Sequence, residues 1–271
     1  MKEILSLNFG QAGCQIGNSN YHLFAQEYGM MIPCRDHHKD SHHQHQHQQP
    51  QQQQEELFMD ERYYKVLYEE WDPGSGSDHH SSSMQSYYYY TPRSLFMDLD
   101  SSNLDSIRVR NRQSSSNAVH YRPDSFIGGQ EDASSVCTRA KYSMGRILLD
   151  SCMESIRKYL ERCDRLDSLW IHAGLGGGSG SGLTSLIMEQ LGCDLNKVTK
   201  IFIPVMPSPQ RSNVIVEPYN VVLGLKDLHD KVDASIVLDN EALYHYVSHW
   251  KNEVVGVGIG GIGGEELIIH N

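Results

Sequence analysis

The chain is short of positive charge: 23 Lys and Arg stand against 34 Asp and Glu in 271 residues, a formal net charge of −11. Nucleic-acid binding draws its affinity from counterion release by a concentrated basic surface, so no nucleic-acid partner is expected. No apolar run is long enough to span a bilayer, and the N-terminus has no signal-peptide hydrophobic region; the expectation is a soluble, intracellular protein with no membrane partner. The six cysteines, Cys14, Cys34, Cys137, Cys152, Cys163 and Cys193, form no CxxC pair. That scatter suits reduced thiols better than a disulfide framework or a zinc site.

What the chain does have is a glycine-rich turn, running from His172-Ala173-Gly174-Leu175 through Gly176-Gly177-Gly178-Ser179-Gly180-Ser181-Gly182 to Leu183. The apolar run Leu169 to His172 enters it as a buried strand, and Thr184 to Leu191 leaves it as an amphipathic helix. Tight flanking by structured elements distinguishes it from a flexible linker. Glycines let the backbone take positive φ and approach a ligand closely, so amide N–H groups at the helix start can converge on a phosphate. No Lys closes the turn as in a GxxxxGK[ST] loop, and it is not a GxGxxG with an acidic residue placed for ribose. Spacing alone therefore implies a nucleotide or phosphate loop of unspecified kind.

The first segment repeats the plan. Glu3 to Phe9 alternates weakly, Gly10-Gln11-Ala12-Gly13 turns, and Ile16, Tyr21, Leu23, Phe24 and Tyr28 suit one helical face. Ser94 to Asp100 reads as a strand ending in the carboxylates Asp98 and Asp100. Two readings stay open for them: placement beside a Mg²⁺, directly or through water, or capping of a helix beginning near Asn103. Gly128 to Ser135 is a further loop before a long helix whose stripe Leu149, Met153, Ile156 and Leu160 is assigned to the core. Lys200 to Val205 and Ala234 to Leu238 read as strands, and helices are expected up to His229 and from Asp239-Asn240-Glu241-Ala242 to about Trp250. Alternating strands and helices predict an α/β fold with a doubly wound, mostly parallel sheet and ligands at the strand C-termini.

Composition changes between residues 34 and 90. His37-His38, His42-His43, His45, His47 and the Gln48 to Gln54 tract are of low complexity, and Gly74 to Ser77 and Ser81 to Ser83 are loop-like. Such a stretch buries too little apolar surface to offset its ordering entropy and is expected to be a disordered insertion, with one short helix within Leu57 to Trp71. The histidines have no fixed scaffold or carboxylate partners that would make a specific metal site. No chemistry is assigned to Tyr87 to Tyr90. Residues 251–271 form an unmatched Gly/Val/Ile-rich tail.

Several loops together resemble the tubulin family. Gly10-Gln11-Ala12-Gly13-Cys14-Gln15-Ile16-Gly17 is similar to its first nucleotide loop, and Gly176 to Gly182 to its GGGTGSG run with Ser for Thr. Val216-Glu217-Pro218-Tyr219-Asn220 matches VEPYN and Asp239 to Ala242 matches DNEA. Glu131-Asp132-Ala133 and Pro207-Ser208-Pro209-Gln210 look more like the α-tubulin branch. The resemblance covers residues 1 to about 30 and about 91 to 249, the GTP-binding domain, and implies a Rossmann-like fold with GTP and Mg²⁺ as cofactors.

By position, the resemblance puts Gly10, Gln11, Ala12 and Gln15 at the nucleotide, with Asp98 and Asp100 on the Mg²⁺ side and Asp100 as the metal residue, where α-tubulins have Glu. Asp132, Ala133 and Ser135 would form a loop near the γ-phosphate, with Ser replacing the family's Asn at 135. Gly174, Gly176, Gly177, Gly178, Ser179 and Gly180 would wrap the phosphates. Pro207 and Asn213 would flank the ribose, with Asn213 replacing a Thr, Glu217 would accept from a ribose hydroxyl, and Asn240 would read guanine. Ala173-Gly174 stands where the family has His-Ser. Lys251 to Asn271 matches neither the family's base-stacking helix nor its catalytic loop, which implies no catalytic residue, GTP turnover only with a full-length partner, and impaired polymerisation. Tubulin subunits are the expected partners and the cytoplasmic microtubule cytoskeleton the expected location. A module that binds no nucleotide is the alternative; an NAD-type enzyme is disfavoured because no GxGxxG follows a strand.

Overall fold

Strand β1 (Glu3–Phe9) explains its own weak alternation, because both of its faces are buried. Leu5, Leu7 and Phe9 enter the main apolar core, whereas Ser6 and Asn8 lie under the first helix in a hydrogen-bonded polar layer. Asn8 Nδ2 donates to Ser94 Oγ at 2.8 Å and Leu95 O at 2.9 Å, and Ser6 Oγ donates to Asn8 Oδ1 at 3.2 Å. Burying these groups is tolerable only because each finds a partner.

In this computed structural model the described residues are 2–28, 61–71, 89–113, 119–210, 212 and 214–256. After β1 come α1 (Gly10–Glu27), α2 (Glu61–Leu67), β2 (Tyr68–Trp71), β3 (Tyr89–Pro92), β4 (Ser94–Asp98), α3 (Ser101–Gln113) and β5 (Phe126–Gly128). A short helix α4 (Cys137–Arg139) continues through a π segment (Ala140–Met144) into α5 (Gly145–Glu161). Strand β6 (Leu166–Gly174) leads through the glycine turn to a π segment (Ser179–Leu183) that becomes α6 (Thr184–Asp194). Strand β7 (Thr199–Met206), α7 (Glu217–Leu228), β8 (Ala234–Ser235), β9 (Leu238–Asp239) and α8 (Asn240–Gly256) complete the chain as described.

The parallel sheet runs in the order β5, β4, β1, β6, β7, β8, with β9 also pairing β7. Helices cover both faces: Cys14 of α1 packs with Leu104 and Ile107 of α3 on one, while residues of α5, α6 and α7 close the main core on the other. This is the expected doubly wound sheet. From β1 the connections wind one way to β4 and β5 and the other way from β6 to β7, so the topological switch lies between β1 and β6. Ligands of such sheets bind beyond the strand C-termini at that point.

Several expectations shift in detail. On α5 the fully buried positions are Leu148, Cys152, Ile156 and Tyr159; Leu149, Met153 and Leu160 only flank the core. Small and aromatic residues at Gly145, Cys152 and Tyr159 carry the true contact face, which a stripe of aliphatic residues alone overlooks. The expected strand Ala234 to Leu238 is two short ones, with Ile236 and Val237 exposed between them. Helix α8 continues past Trp250 to Gly256.

Within residues 34–90 the short helix is present as α2, but order extends beyond it. Strands β2 and β3 pair antiparallel, Tyr68 is buried and donates to Tyr21 O at 2.9 Å, and the Tyr64 and Tyr90 hydroxyls lie 3.1 Å apart. Tyr90 thus has a packing role, and the disordered reading does not hold for 61–71 and 89–90. The His/Gln tract, Gly74 to Ser77, Ser81 to Ser83, Cys34 and residues 257–271 lie outside the described residues. The other five cysteines are free thiols. No helix among the described residues is long and apolar enough to cross a membrane.

His172 of β6 belongs to the buried polar layer, with Nδ1 3.3 Å from Ser6 Oγ and Nε2 3.4 Å from Asn20 Nδ2. Burial lowers its pKa from 6.5 to about 4, because the charged ring would lose its hydration. As pH falls below about 6.5 the unfolded chain takes up a proton that the fold refuses until about 4, so stability declines through that window by roughly 3 kcal/mol. His172→Gln is expected to flatten that dependence, read as urea midpoints at pH 7 and pH 4.5. Parallel pH slopes for the two proteins would refute the assignment.

Candidate functional site

The chain leaves β1 through Gly10, whose φ of +66° is a left-handed turn that L side chains resist. Helix α1 begins there with no side-chain cap from Phe9 and no acidic residue in its first turn. The helical run starting at Ser179 is likewise uncapped, follows Gly178, and has no acidic residue in its first turn. Two helix starts without a side-chain cap, each carrying the positive end of a helix dipole, therefore flank the β1/β6 switch point. They are close: a Cβ on Gly10 would lie 2.9 Å from Gly180 N, and one on Gly174 would lie 2.9 Å from the Ala12 Cβ. Gln11, Ala12 and Gln15 are half-buried on the opening turns of α1.

The glycine turn folds back on its own strand. A Cβ on Gly180 would meet Gly174 O at 2.1 Å, and Ser181 Oγ donates to Gly177 O at 2.6 Å. Gly178 abuts the preceding loop, 2.8 Å from Val136 N by the same measure, whereas a Cβ on Gly177 would meet nothing within 4 Å. Gly177 is the member of the turn that faces open space.

The loop before α4 is strained. Ser134 and Ser135 have φ of 50° and 57°, the left-handed region that costs an L residue about 1–2 kcal/mol. Asp132 Oδ2 accepts from Ser134 N at 2.9 Å, Val136 N donates to Ala133 O at 3.0 Å, and Ala133 is fully buried.

At the end of β4, Asp98 is buried. Its Oδ2 accepts from Asn103 Nδ2 at 2.8 Å and its Oδ1 from Asp100 N at 3.3 Å. Burial raises its pKa, and these bonds, with the Ser179 side chain, offset only part of that rise. Asp100 Oδ1 accepts from Ser102 N at 2.9 Å, so the capping reading is realised at Asp100, where α3 starts at Ser101. Its second carboxylate oxygen makes no hydrogen bond among the described residues. No cluster of three or more His, Cys, Asp or Glu that could hold a metal occurs among the described residues.

On the far side, Pro207 and Glu217 both border Gly176: a Cβ there would lie 3.1 Å from the Pro207 Cβ and 3.3 Å from the Glu217 Cδ. Glu217 Oε2 is buried without a hydrogen-bond partner. Ser208 Oγ bonds Glu241 Oε2, which ties the loop after β7 to the first turn of α8, where Asn240 is buried. Asn213 lies outside the described residues.

The fold thus gathers the β1, β4, β6 and β7 strand ends, the loop before α4 and the start of α7 around one cleft. Residues 3–248 match the family described as Tubulin/FtsZ family, GTPase domain. The chain belongs to that family. It is 33% identical over 251 residues to Tubulin alpha chain-like 3 of Mus musculus, covering 92% of this chain and 50% of the relative. Identity is 32% over 244 residues to Tubulin alpha-1 chain of Arabidopsis thaliana and to Tubulin alpha-3 chain of Saccharomyces cerevisiae, each covering 90% of this chain and 47% of the relative. The chain spans about half the length of the curated relatives it matches.

One residue of this Tubulin/FtsZ domain escaped the sequence reading. Asn220, the last residue of the quoted Val216 to Asn220 run, is buried and bonds Ser135, Cys137 and Gly176. Its place in that run was the available signal, but its partners come from loops 83–85 and 44 residues away. Close approach at Gly10 is directly testable. Gly10→Ala is expected to destabilise the fold by about 1–2 kcal/mol from φ alone, and further through contact with Gly180. Gly177→Ala should change stability by less than about 0.5 kcal/mol. Equal urea midpoints for the two variants would contradict the geometry.

Proposed function

We propose that this chain is an α-tubulin-like GTP-binding domain whose cleft lies at the β1/β6 switch point. The observation that carries the reading is the meeting of two uncapped helix N-termini at Gly10 and Gly180, an arrangement that favours a polyanion over a neutral ligand. Gly177 leaves open space in the turn that Gly10, Gln11, Ala12, Gln15 and the residues Gly174 to Gly180 surround. Asp132, Ala133 and Ser135 border the phosphate side. The orphaned Glu217 Oε2 suits a donor such as a ribose hydroxyl, with Pro207 across Gly176 from it, and Asn240 is assigned to the base.

The donor set also fits Mg²⁺ bound chiefly through phosphates and water, since this ion keeps several waters and takes only one or two carboxylates. Asp100 would offer its unengaged oxygen, and Asp98, already occupied by Asn103 and the Asp100 amide, would hold Asp100 and the turn in place. Bound there, the ion would neutralise phosphate charge.

For partners we propose tubulin-type subunits, with residence in the cytoplasmic cytoskeleton and hydrolysis dependent on a neighbouring subunit. Exposed apolar side chains just before and on α7, on the β8/β9 edge and on α8, including Ile215, Tyr219, Val222, Ile236, Tyr246 and Trp250, support association with another protein surface.

Titration with a fluorescent GTP analogue and Mg²⁺ is expected to saturate in the micromolar range, which requires about −8 kcal/mol. Gly177→Ala should weaken that binding while the protein keeps its stability, and Glu217→Gln should weaken GTP more than its 2′,3′-dideoxy analogue. Absence of saturable binding below about 1 mM would end the GTP reading and favour a module that binds no nucleotide.

A further inference from the structure

Asn220 spends its whole amide on groups that no helix or strand ladder satisfies. Nδ2 donates to Ser135 O at 2.6 Å and to Gly176 O at 2.7 Å, and Oδ1 accepts from Cys137 N at 3.0 Å. Cys137 N is the first N–H of α4, and Val136 before it supplies no side-chain cap, so the Asn220 carbonyl oxygen takes the place of a cap from a distant helix. The two carbonyls belong to different loops of the cleft. Ser135 ends the left-handed pair, and Gly176 opens the glycine turn. The loops also touch directly, where Gly178 backs onto Val136.

A single buried amide on α7 therefore bridges the strained loop and the glycine turn. The left-handed turn at Ser134 and Ser135 persists only if its surroundings over-determine it. Asn220 supplies part of that constraint through its bonds to Ser135 O and Cys137 N. Its bonds also anchor α7, whose first residue, Glu217, reaches Gly176.

We infer that Asn220 is a positioning residue: it clamps the loop carrying Ser134 and Ser135 against the Gly176 turn and so presets the cleft for the phosphate chain without touching the ligand. This rests on the GTP reading above and adds to it the residue that governs discrimination by phosphate number. Asn220→Asp keeps size and the acceptor for Cys137 N but cannot donate to the two carbonyls. Asn220→Ala removes all three bonds.

The test titrates the unmodified chain and both variants with GTP, GDP and GMP in the presence of Mg²⁺, and follows amide hydrogen exchange of the ligand-free proteins. GTP affinity is expected to fall on the order of tenfold in Asn220→Asp, with GMP affinity changing much less, so that the GTP-to-GMP ratio collapses. Exchange at residues 133–137 should quicken without a matching change in β1 or β6. A merely structural role would lower the melting temperature and the fraction of competent protein yet leave the affinity ratio of that fraction intact. An unchanged ratio in variants of a chain that binds GTP would overturn the inference alone, whereas an unmodified chain that binds none of the three would overturn the GTP reading together with it. Should both variants fail to fold, the Asn220 side-chain amide protons of the unmodified protein decide: slow exchange and a shift on adding GTP support the clamp, and free exchange refutes it.

Discussion

The close approach of the α1 N-terminus to the glycine turn constrains everything around it. A side chain on Gly10 would overlap the backbone of Gly180, and one on Gly180 would strike Gly174 O at the end of β6. That proximity requires α1 to lie flat on β6, which Gly13 permits by leaving no Cβ to strike His172 O. It also requires the polar layer of Ser6, Asn8 and His172 beneath α1 to be satisfied within the protein, since α1 excludes water from it. The cleft is thus shaped by what glycine omits, and the surrounding polar network supports that omission.

From this constraint the electrostatics of the site follow. Both helices start without a capping side chain or an early acidic residue, so no side chain of their own first turns offsets the positive ends of their dipoles at the strand ends. The carboxylates nearby are restrained. Asp98 is held by Asn103 and the Asp100 amide, and Asp100 caps α3. Glu217 lies across the turn from them, bordering Gly176. The opposite end of the sheet carries a separate buried ionic cluster, in which Arg93 meets Glu3 at 2.6 Å and Glu69 at 3.5 Å. Such pairs contribute less to net stability than their number suggests, but they fix how the β2/β3 hairpin joins the starts of β1 and β4.

Much of the fold was legible because local patterns sufficed. The strand, glycine turn and helix units at Phe9 and Gly174 announced themselves through apolar runs broken by glycine, and α7 begins at Glu217 with Pro218 at its second position, a common start for a helix. On α5 the expected stripe shares only Ile156 with the buried face, which runs through Gly145, Leu148, Cys152, Ile156 and Tyr159 and so includes small and aromatic residues that an aliphatic pattern passes over. Ordered Tyr68 and Tyr90 were hidden by the composition of the residues beside them. Tyr68 is ordered by contact with Tyr21 and by the hairpin pairing, neither of which is local.

The sequence by itself determined the alternation of strands and helices and the two glycine turns, because periodicity and backbone freedom are properties of neighbours along the chain. Only the tertiary structure decided that Ser134 and Ser135 adopt left-handed turns, that His172 is kept neutral, and that Asn220 bridges two loops. Those features arise from contacts between segments tens to hundreds of residues apart, where burial removes water and leaves each polar group dependent on whichever partner the fold brings to it.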